Sequence, residues 1–293
     1  MSRSGKRLLV LGAGGLLGSE FLTGNHVPGW EVLGHGRQSG FAGCADLASM
    51  AETNRMLDQL NPDAVLNLVG LTNVDRCEAF PEEAYSGNVR TVENVVAWIR
   101  QAEKPVQLVH ISTDQVYDGA GPHRESDVCL KNYYAFSKYA GELAASAVGA
   151  AVLRTNFFGK SRSARRASLT DWLFSAFSEK TRIQVFDDVQ FSPLSMTTLC
   201  QMLGLVIEKR IAGIYNLGSR DGLSKADFSY AFAGFVGADA GSMSRRSVRD
   251  VDLFKAYRPQ DMRLDVERFE HAAGIVLPCL VDEIKSAAQE YRK

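Results

Sequence analysis

Residues 8–18 read Leu-Leu-Val-Leu-Gly-Ala-Gly-Gly-Leu-Leu-Gly, a short apolar run followed by glycines at every third position from 12 to 18. At a strand-to-helix turn, the first glycine permits a tight bend, the second lets backbone amides approach a pyrophosphate, and the third lets the helix pack closely on the strand. The helix amino terminus then faces the anion. The stretch predicts a dinucleotide-phosphate site made by Gly12, Gly14, Gly15, Leu16, Leu17 and Gly18. A structural turn without a ligand is the alternative.

Outward from this stretch, short apolar runs alternate with longer amphipathic segments, which is typical of a parallel sheet covered by helices. The pattern predicts strands at 8–12, 31–34, 64–69, 106–112, 151–155 and 213–217, and helices at 15–22, 50–61, 82–103, 134–148, 197–209 and 225–236. This is an α/β fold with a doubly wound parallel sheet of Rossmann type. We expect residues 1–158 to form the dinucleotide-binding domain. Residues 159–293 are expected to form mainly a smaller, mixed α/β substrate-binding lobe, with 197–217 returning to the sheet.

Composition narrows the class of protein. A formal net charge of −1 gives no electrostatic field for nucleic acid or a lipid surface, so neither is an expected partner. The five cysteines are widely separated and the five histidines form no ligand pattern, which indicates reduced thiols and no metal site. The polar start of the sequence and the lack of a long apolar run predict a cytoplasmic protein that acts on a small molecule.

The residues after the second predicted strand bear on the choice of cofactor. Dinucleotide proteins that prefer NADH usually carry a carboxylate there, which binds the ribose hydroxyls. This chain instead has Arg37, whose guanidinium suits the 2′-phosphate of NADPH. We therefore expect NADPH, with NADH as the alternative and a solvated surface arginine as the competing interpretation. Asp46 and Leu47 are placed to border the adenine.

The strongest local signal for chemistry is a Y-x-x-x-K pair, Tyr134 and Lys138, which a helix places one turn apart on one face. A free tyrosine has a pKa near ~10, and a nearby ammonium lowers it by stabilising the phenolate. Tyr134 is then a general acid that protonates an oxygen as hydride reaches its carbon. Lys138 tunes the phenol and holds the nicotinamide ribose.

A second group follows the strand predicted at 106–112, at the sheet edge where ligands bind in open α/β sheets. We assign the Thr113 hydroxyl to polarise the same carbonyl oxygen. A Ser/Thr cap at a strand end is the alternative. Asp114 either orients the substrate or is a structural turn carboxylate.

Together these residues resemble the extended short-chain dehydrogenase/reductase family, in its dTDP-4-dehydrorhamnose reductase branch, over nearly the whole chain. The likeness rests on the following segments: Gly12 to Gly18, Asn67, Thr72 to Asp75, Asn88-Val89, Ser112 to Gly119, Tyr134, Lys138, Ala140 to Glu142, Arg154-Thr155, Phe186 to Asp188, Ser192-Pro193, Gly213 to Tyr215, Arg258-Pro259 and Gly274 to Pro278. It implies that Thr113, Tyr134 and Lys138 are the catalytic residues, that Asn67 lies near the cofactor and that Asn88 braces the sheet.

The resemblance implies reduction of a 4-keto group on a nucleotide-activated 6-deoxyhexose, with NADPH as hydride donor. Asp114, Asn156, Phe157 and Arg258 are the candidate substrate-binding residues. Asn156 and Phe157 stand where this branch usually has tryptophan, so the identity of the sugar stays open. Alternatives are a nucleotide-sugar epimerase or dehydratase of the same family and a non-catalytic dinucleotide-binding regulatory subunit. Whether the chain forms a homodimer is left open by the sequence.

Overall fold

The computed structural model describes residues 5–37, 40–164, 166–251 and 254–292. The strands are β1 (Lys6–Leu11), β2 (Trp30–Gly36), β3 (Gly43–Cys44), β4 (Ala64–Asn67), β5 (Gln107–Ile111), β6 (Ala151–Thr155), β7 (Phe157–Phe158), β8 (Ile183–Phe186), β9 (Gln190–Phe191), β10 (Leu194–Ser195), β11 (Gly213–Leu217), β12 (Leu223–Ser224) and β13 (Met243–Arg246). The α-helices are α1 (Leu16–Thr23), α2 (Met50–Leu60), α3 (Val74–Ala79), α4 (Pro81–Tyr85), α5 (Thr91–Gln101), α6 (Tyr133–Ser146), α7 (Leu169–Ser178), α8 (Met196–Glu208), α9 (Lys225–Val236), α10 (Glu267–Ala273) and α11 (Leu280–Ala288).

Seven strands form one sheet in the order β11-β6-β5-β4-β1-β2-β3. β1 pairs in parallel with β2 on one side and β4 on the other, and β4, β5 and β6 continue the parallel pairing. The strand order reverses at β1, which makes the β1/β4 edge the switch point where ligands bind in such sheets. The predicted doubly wound parallel sheet is confirmed.

The chain divides into two compact units. The first consists of residues up to Ser112, Tyr133–Leu153 and Cys200–Ile214, and the second of Thr113–Asn132, Arg154–Leu199 and the chain from Tyr215 onward. This grouping differs from the predicted boundary at residue 158, because residues 113–132 fold with the second unit. There the Gly121 amide donates to the Asp261 carboxylate and the His123 amide to the Arg263 carbonyl. The segment 200–214 groups with the first unit.

Each unit has its own apolar core. In the first unit, α2 and α5 pack with the sheet, and fully buried members include Leu9, Leu57, Val65 and Val92. The buried positions of α2 recur with the helical period, whereas β1 and β4 are continuous buried runs, as expected of strands covered on both faces. The second unit has an aromatic core, in which the Phe158 and Phe228 rings meet edge to face at 4.8 Å between centroids. Such cores hold the polar side chains described below in fixed positions.

The helix predicted at 82–103 is interrupted. Over this range the structure has α4, a π-helical turn at Ser86–Arg90 and then α5, and α3 precedes it. π turns are rare and concentrate at functional sites, and this one carries Asn88, a fully buried polar residue. Periodicity alone missed the π turn because the helical residues run without a break from 81 to 101.

No helix within the described ranges combines the length and the apolar character needed to cross a bilayer.

Candidate active site

The glycine-rich turn after β1 has the geometry that the sequence predicts. Gly12 has a φ of +83°, a left-handed conformation that favours glycine, and its carbonyl oxygen accepts a hydrogen bond of 3.0 Å from the Gly15 amide. A Cβ on Gly18 would stand 2.8 Å from the Ala13 Cα and closer still to the Gly12 carbonyl oxygen. The third glycine is therefore required for α1 to approach the turn.

The amino terminus of α1 follows directly. Gly15 is the N-cap residue and supplies no side-chain cap, and the first turn of α1 has no acidic residue. Leu16 is partly exposed, whereas Leu17 is buried. A helix start without a side-chain acceptor leaves its amides oriented toward an incoming anion.

The predicted adenosine-side residues differ in exposure. Arg37 is exposed just after β2, and Asp46 is exposed after β3. Leu47 is buried in the core of the first unit, and its carbonyl oxygen accepts a 2.8 Å hydrogen bond from the Asn94 side chain. Phe41 was not predicted to lie at this turn, and its ring would contact a Cβ placed on Gly14, Gly34 or Gly36. The absence of side chains at these three glycines makes room for that ring.

Asn67 ends β4 and is fully buried. Its Nδ2 lies 3.2 Å from His110 Nδ1, and its Oδ1 accepts a 3.0 Å hydrogen bond from the Val69 amide. Burial and the positive charge of Lys138 hold the pKa of His110 well below its usual range. Asn67 thus links β4, β5 and the loop that starts at Val69.

Asn88 joins the loop after β4 to α6. Its Oδ1 accepts from the Leu71 amide at 2.7 Å, and its Nδ2 donates to the Leu71 carbonyl at 3.1 Å and to Ser137 Oγ at 2.8 Å. The π turn is what brings this side chain to α6. These contacts tie Asn88 to the loop after β4 and to α6, and the bracing of the sheet that the resemblance implies stays a prediction.

The Tyr134 and Lys138 side chains lie one helical turn apart on α6, and both are buried, at 7% and 5% exposure. Lys138 Nζ donates a 2.6 Å hydrogen bond to the carbonyl oxygen of Ile111, the last residue of β5. Burial lowers the pKa of Lys138 to about 8, and the Glu142 carboxylate opposes this shift. A buried phenol and a buried ammonium therefore share one face of α6.

Glu142 is one turn beyond Lys138 and is fully buried. Its Oε1 accepts a hydrogen bond from Ser112 Oγ, directly after β5. The end of β5 therefore fixes both charged side chains of α6, Lys138 through Ile111 and Glu142 through Ser112. Glu142 lies in one of the segments that carry the family resemblance, and its sequence position alone predicts no role for it.

In the second unit, Thr113 and Asp114 begin a short 3₁₀ turn at Asp114–Val116. Thr113 Oγ1 accepts a 3.2 Å hydrogen bond from the Gln115 amide and donates at 3.3 Å to Asp114 Oδ1. Asp114 Oδ2 accepts a 2.7 Å hydrogen bond from Asn156 Nδ2. Burial raises the pKa of Asp114 to about 6, against the effects of Asn156 and the Lys225 ammonium. Thr113 is thus a turn cap with a hydroxyl that also reaches a carboxylate.

Two further predicted substrate residues belong to the second unit. Phe157 is a partly exposed residue of β7, which pairs in parallel with β10. Arg258 stacks its guanidinium on Phe254 at 4.5 Å from the ring centroid and donates to the Ala256 carbonyl oxygen. Arg258 lines a cavity together with Lys225, which belongs to none of the motifs found in the sequence.

The structure thus groups the predicted residues in two sets. The first unit holds the glycine-rich turn, Arg37, Asp46, Leu47, Asn67, Tyr134 and Lys138, and the second holds Thr113, Asp114, Asn156, Phe157 and Arg258. Within the described part of the chain, no three His, Cys, Asp or Glu side chains are arranged to hold a metal ion.

Comparison with known proteins gives a consistent family. The model of the RmlD substrate binding domain matches residues 6–293. Among curated proteins, a probable low-salt glycan biosynthesis reductase, Agl14 of Haloferax volcanii, is 28% identical over 94% of this chain and 95% of its own length. The dTDP-4-dehydrorhamnose reductase of Aggregatibacter actinomycetemcomitans is 26% identical over 92% of this chain and 94% of its own. Methionine adenosyltransferase 2 subunit beta of Xenopus laevis is 26% identical over 90% and 82%.

Solved structures agree with the fold. The dTDP-4-dehydrorhamnose reductase of Bacillus anthracis, solved in complex with NADP, superposes with a TM-score of 0.88 at 20% identity and covers 98% of this chain and 99% of that one. A hypothetical dTDP-4-dehydrorhamnose reductase of Sulfolobus tokodaii gives 0.79 at 27% identity, with 92% and 94% coverage. The resemblance found in the sequence is confirmed. The chain belongs to the RmlD substrate binding domain family, the dTDP-4-dehydrorhamnose reductase branch of the extended short-chain dehydrogenase/reductases.

Proposed function

We propose that the chain is an NADPH-preferring reductase of the 4-keto group of a nucleotide-activated 6-deoxyhexose. The observation that carries the proposal is the Tyr134 and Lys138 pair on α6, with Lys138 tied to Ile111 at the carboxyl end of β5. That end belongs to the same unit and the same sheet edge as the glycine-rich turn after β1. A proton donor and a dinucleotide turn on one edge suit ketone reduction.

The turn after β1 fits a dinucleotide. The conformation of Gly12 and the close approach at Gly18 are those of a turn that admits phosphate groups to its backbone amides. The exposed Arg37 guanidinium would pair with a 2′-phosphate, which favours NADPH, with NADH as the alternative. The related Bacillus anthracis reductase was solved with NADP. Asp46 and Leu47 would border the adenine, and Asn67 would lie near the cofactor. When bound, NADPH supplies the hydride.

Tyr134 acts as the proton donor. As the C4 carbon gains a C–H bond, its oxygen acquires negative charge, and the Tyr134 phenol transfers its proton to that oxygen to give the alcohol. The Lys138 ammonium stabilises the resulting phenolate. Its hydrogen bond to Ile111 keeps the ammonium at the strand end, and Glu142 favours its charged form.

Thr113 is assigned to donate a hydrogen bond to the same carbonyl oxygen, with its hydroxyl proton turned from Asp114 Oδ1 to that oxygen, which would stabilise the developing charge. Its hydroxyl is buried and ordered by the Gln115 amide. Asp114 and Asn156, hydrogen-bonded to each other, present polar atoms for sugar hydroxyls, with Phe157 beside Asn156 in the sequence. Arg258 is assigned to the charged part of the substrate.

The test is a panel of nucleotide-4-keto sugars, with oxidation of NADPH and, in parallel, NADH followed by absorbance. Stoichiometric cofactor oxidation with at least one keto sugar is the expected result. Turnover without net cofactor oxidation would instead identify an epimerase or dehydratase of the same family. A dehydratase and an epimerase are among the solved structures of similar fold.

A regulatory subunit is the second candidate, because methionine adenosyltransferase 2 subunit beta is among the relatives. Such a protein would bind NADPH, reduce no keto sugar and co-purify with a partner enzyme. The presence of Thr113, Tyr134 and Lys138 together favours the reductase.

A cytoplasmic location remains a prediction. A homodimer also remains one, and the exposed apolar side chains of Phe136 and Leu143 on α6 are compatible with it.

A further inference from the structure

Glu142 is a carboxylate in the interior of the first unit, and the proton transfer from Tyr134 does not consume it. It lies on α6, one turn beyond Lys138, and is fully buried. Burial of a carboxylate is costly unless hydrogen bonds and an opposite charge compensate for the lost water. The groups that surround Glu142 therefore indicate what its charge does.

Ser112 supplies the hydrogen bond. Its Oγ donates to Glu142 Oε1, and Ser112 is itself buried directly after β5. The preceding residue, Ile111, accepts the 2.6 Å hydrogen bond from Lys138 Nζ. Because Ile111 and Ser112 are adjacent, one strand end holds a cation and an anion that are one turn apart on the same face of α6.

The close packing of α6 excludes water from these two charges. A Cβ on Gly141 would lie 2.5 Å from the Asn88 carbonyl oxygen and 3.5 Å from His110 Nε2, so glycine is needed there for the helix to approach. Opposite charges attract each other more strongly in such a dry interior than in water. The placement of Glu142 is therefore electrostatically significant for Lys138.

The segments packed against α6 are α3, α4, the π turn, α5 and β5, and their other titratable groups do not take the place of Glu142. On β5, burial and the Lys138 ammonium hold the pKa of His110 well below its usual range, so His110 is uncharged. On α3, burial raises the pKa of the Cys77 thiol to about 11, and the Glu78 carboxylate accepts a 3.0 Å hydrogen bond from the Tyr133 amide at the start of α6.

The remaining charged side chains of these segments are partly or largely exposed, namely Asp75, Arg76, Glu82, Glu83, Arg90, Glu93 and Arg100. Among the described residues of α6 and the segments packed on it, Glu142 is the fully buried acid. Burial lowers the pKa of Lys138 to about 8, and the Glu142 carboxylate opposes that shift. Removal of the carboxylate would leave the full effect of burial on the ammonium.

We propose that Glu142 is a positioning residue for Lys138: its carboxylate, oriented by Ser112, keeps the ammonium charged at the end of β5 and so sets the upper pH limit of proton transfer from Tyr134. The assignment rests on the proposed function, because it names what regulates the pH range of that reaction. Glu142 acts through Lys138 and transfers no proton itself.

The first experiment observes Lys138 directly. NMR titration of the full chain, labelled with carbon-13 at lysine Cε, compares wild type, Glu142→Gln and Glu142→Asp, and Lys138→Met assigns the signal by its loss. The Lys138 midpoint should move to lower pH by about 1 pH unit in Glu142→Gln. Glu142→Asp keeps the charge and should stay nearer wild type. Glu103→Gln, at an exposed position after α5, is the control and should leave the midpoint unchanged.

The second readout is the pH profile of keto-sugar reduction. The alkaline limb of kcat should move to lower pH in Glu142→Gln by the same amount as the Lys138 midpoint. A merely structural role would lower stability or kcat without moving this limb. Thermal unfolding and NADPH affinity of each variant show whether the chain still folds.

A double-mutant cycle of Glu142→Gln and Lys138→Met covers a loss of folding. Glu142→Gln should cost less Tm in the Lys138→Met background, because the carboxylate there has no cation to compensate. If Glu142→Gln alone does not fold, a folded double variant supports the assignment, and an unfolded one overturns it. Additive losses of Tm also overturn it.

The two proposals can fail separately. A shifted Lys138 midpoint in a chain that reduces no keto sugar supports the assignment of Glu142 and contradicts the reductase. An unchanged midpoint in Glu142→Gln overturns the assignment of Glu142, whether or not keto sugars are reduced.

Discussion

Lys138 Nζ donates a 2.6 Å hydrogen bond to the carbonyl oxygen of Ile111, which couples the middle of α6 to the end of β5. Ser112, the next residue, donates to Glu142 on the following turn of α6. These two contacts join adjacent residues at the end of β5 to one face of α6. Together they set the position of the Lys138 ammonium. In the proposed chemistry, the position of the Tyr134 phenol depends on the same helix face.

Replacement of Lys138 by Met should lower kcat by about 10²-fold or more, because the phenolate loses its stabilising charge. The wild-type rate should decline as pH rises through about 8, where Lys138 loses its proton. Lys138→Met should lack this limb of the pH profile. The measurement is kcat against pH for NADPH oxidation, and an unchanged alkaline limb in the variant would contradict the role of Lys138.

Replacement of Asp114 by Asn should raise thermal stability more at pH 8 than at pH 4. Burial raises the pKa of Asp114 to about 6, so the folded state holds a proton that the unfolded chain releases at lower pH, and stability is lost as pH rises to about 6. The Asn variant carries no charge and escapes this loss. We expect a difference in Tm of about 2 °C or more at pH 8. Equal Tm changes at both pH values would refute a buried, destabilised carboxylate.

Replacement of Arg37 by Ala should weaken NADPH binding by about tenfold and leave NADH binding nearly unchanged, because only NADPH carries the 2′-phosphate. Fluorescence titration with both cofactors measures the two affinities. Arg100→Ala, at an exposed position of α5, serves as the control. Parallel losses for both cofactors would show that Arg37 does not distinguish them.

Replacement of Gly18 by Ala should cost about 1–3 kcal/mol of stability and reduce NADPH affinity, because the added Cβ would overlap the backbone at Ala13 and Gly12. The control is Gly234→Ala in α9, where a Cβ meets nothing within 4 Å. That substitution should be neutral or stabilising, as alanine favours a helix. Chemical denaturation of both variants provides the comparison, and similar curves would exclude the predicted overlap.

The sequence predicted the features that depend on residues close together in the chain. The glycine turn and the pair Tyr134 and Lys138 are local patterns on one turn or one helix, and their elements formed as expected. The π turn at Asn88 was missed, since the helical residues run from it into α5 without a break. The placement of Lys225 beside Asp114 and Arg258 was also missed, because residues far apart in the chain meet only through tertiary folding.

The most direct test of the proposed chemistry is Tyr134→Phe. The substitution removes one oxygen from a buried ring and leaves the Lys138 to Ile111 contact in place. We expect NADPH affinity close to that of wild type and a loss of keto-sugar reduction of about 10²-fold or more in kcat. Tyr133→Phe, at the exposed neighbouring position, should keep full activity. Wild-type turnover by Tyr134→Phe, with an intact fold, would contradict the assignment of Tyr134 as proton donor.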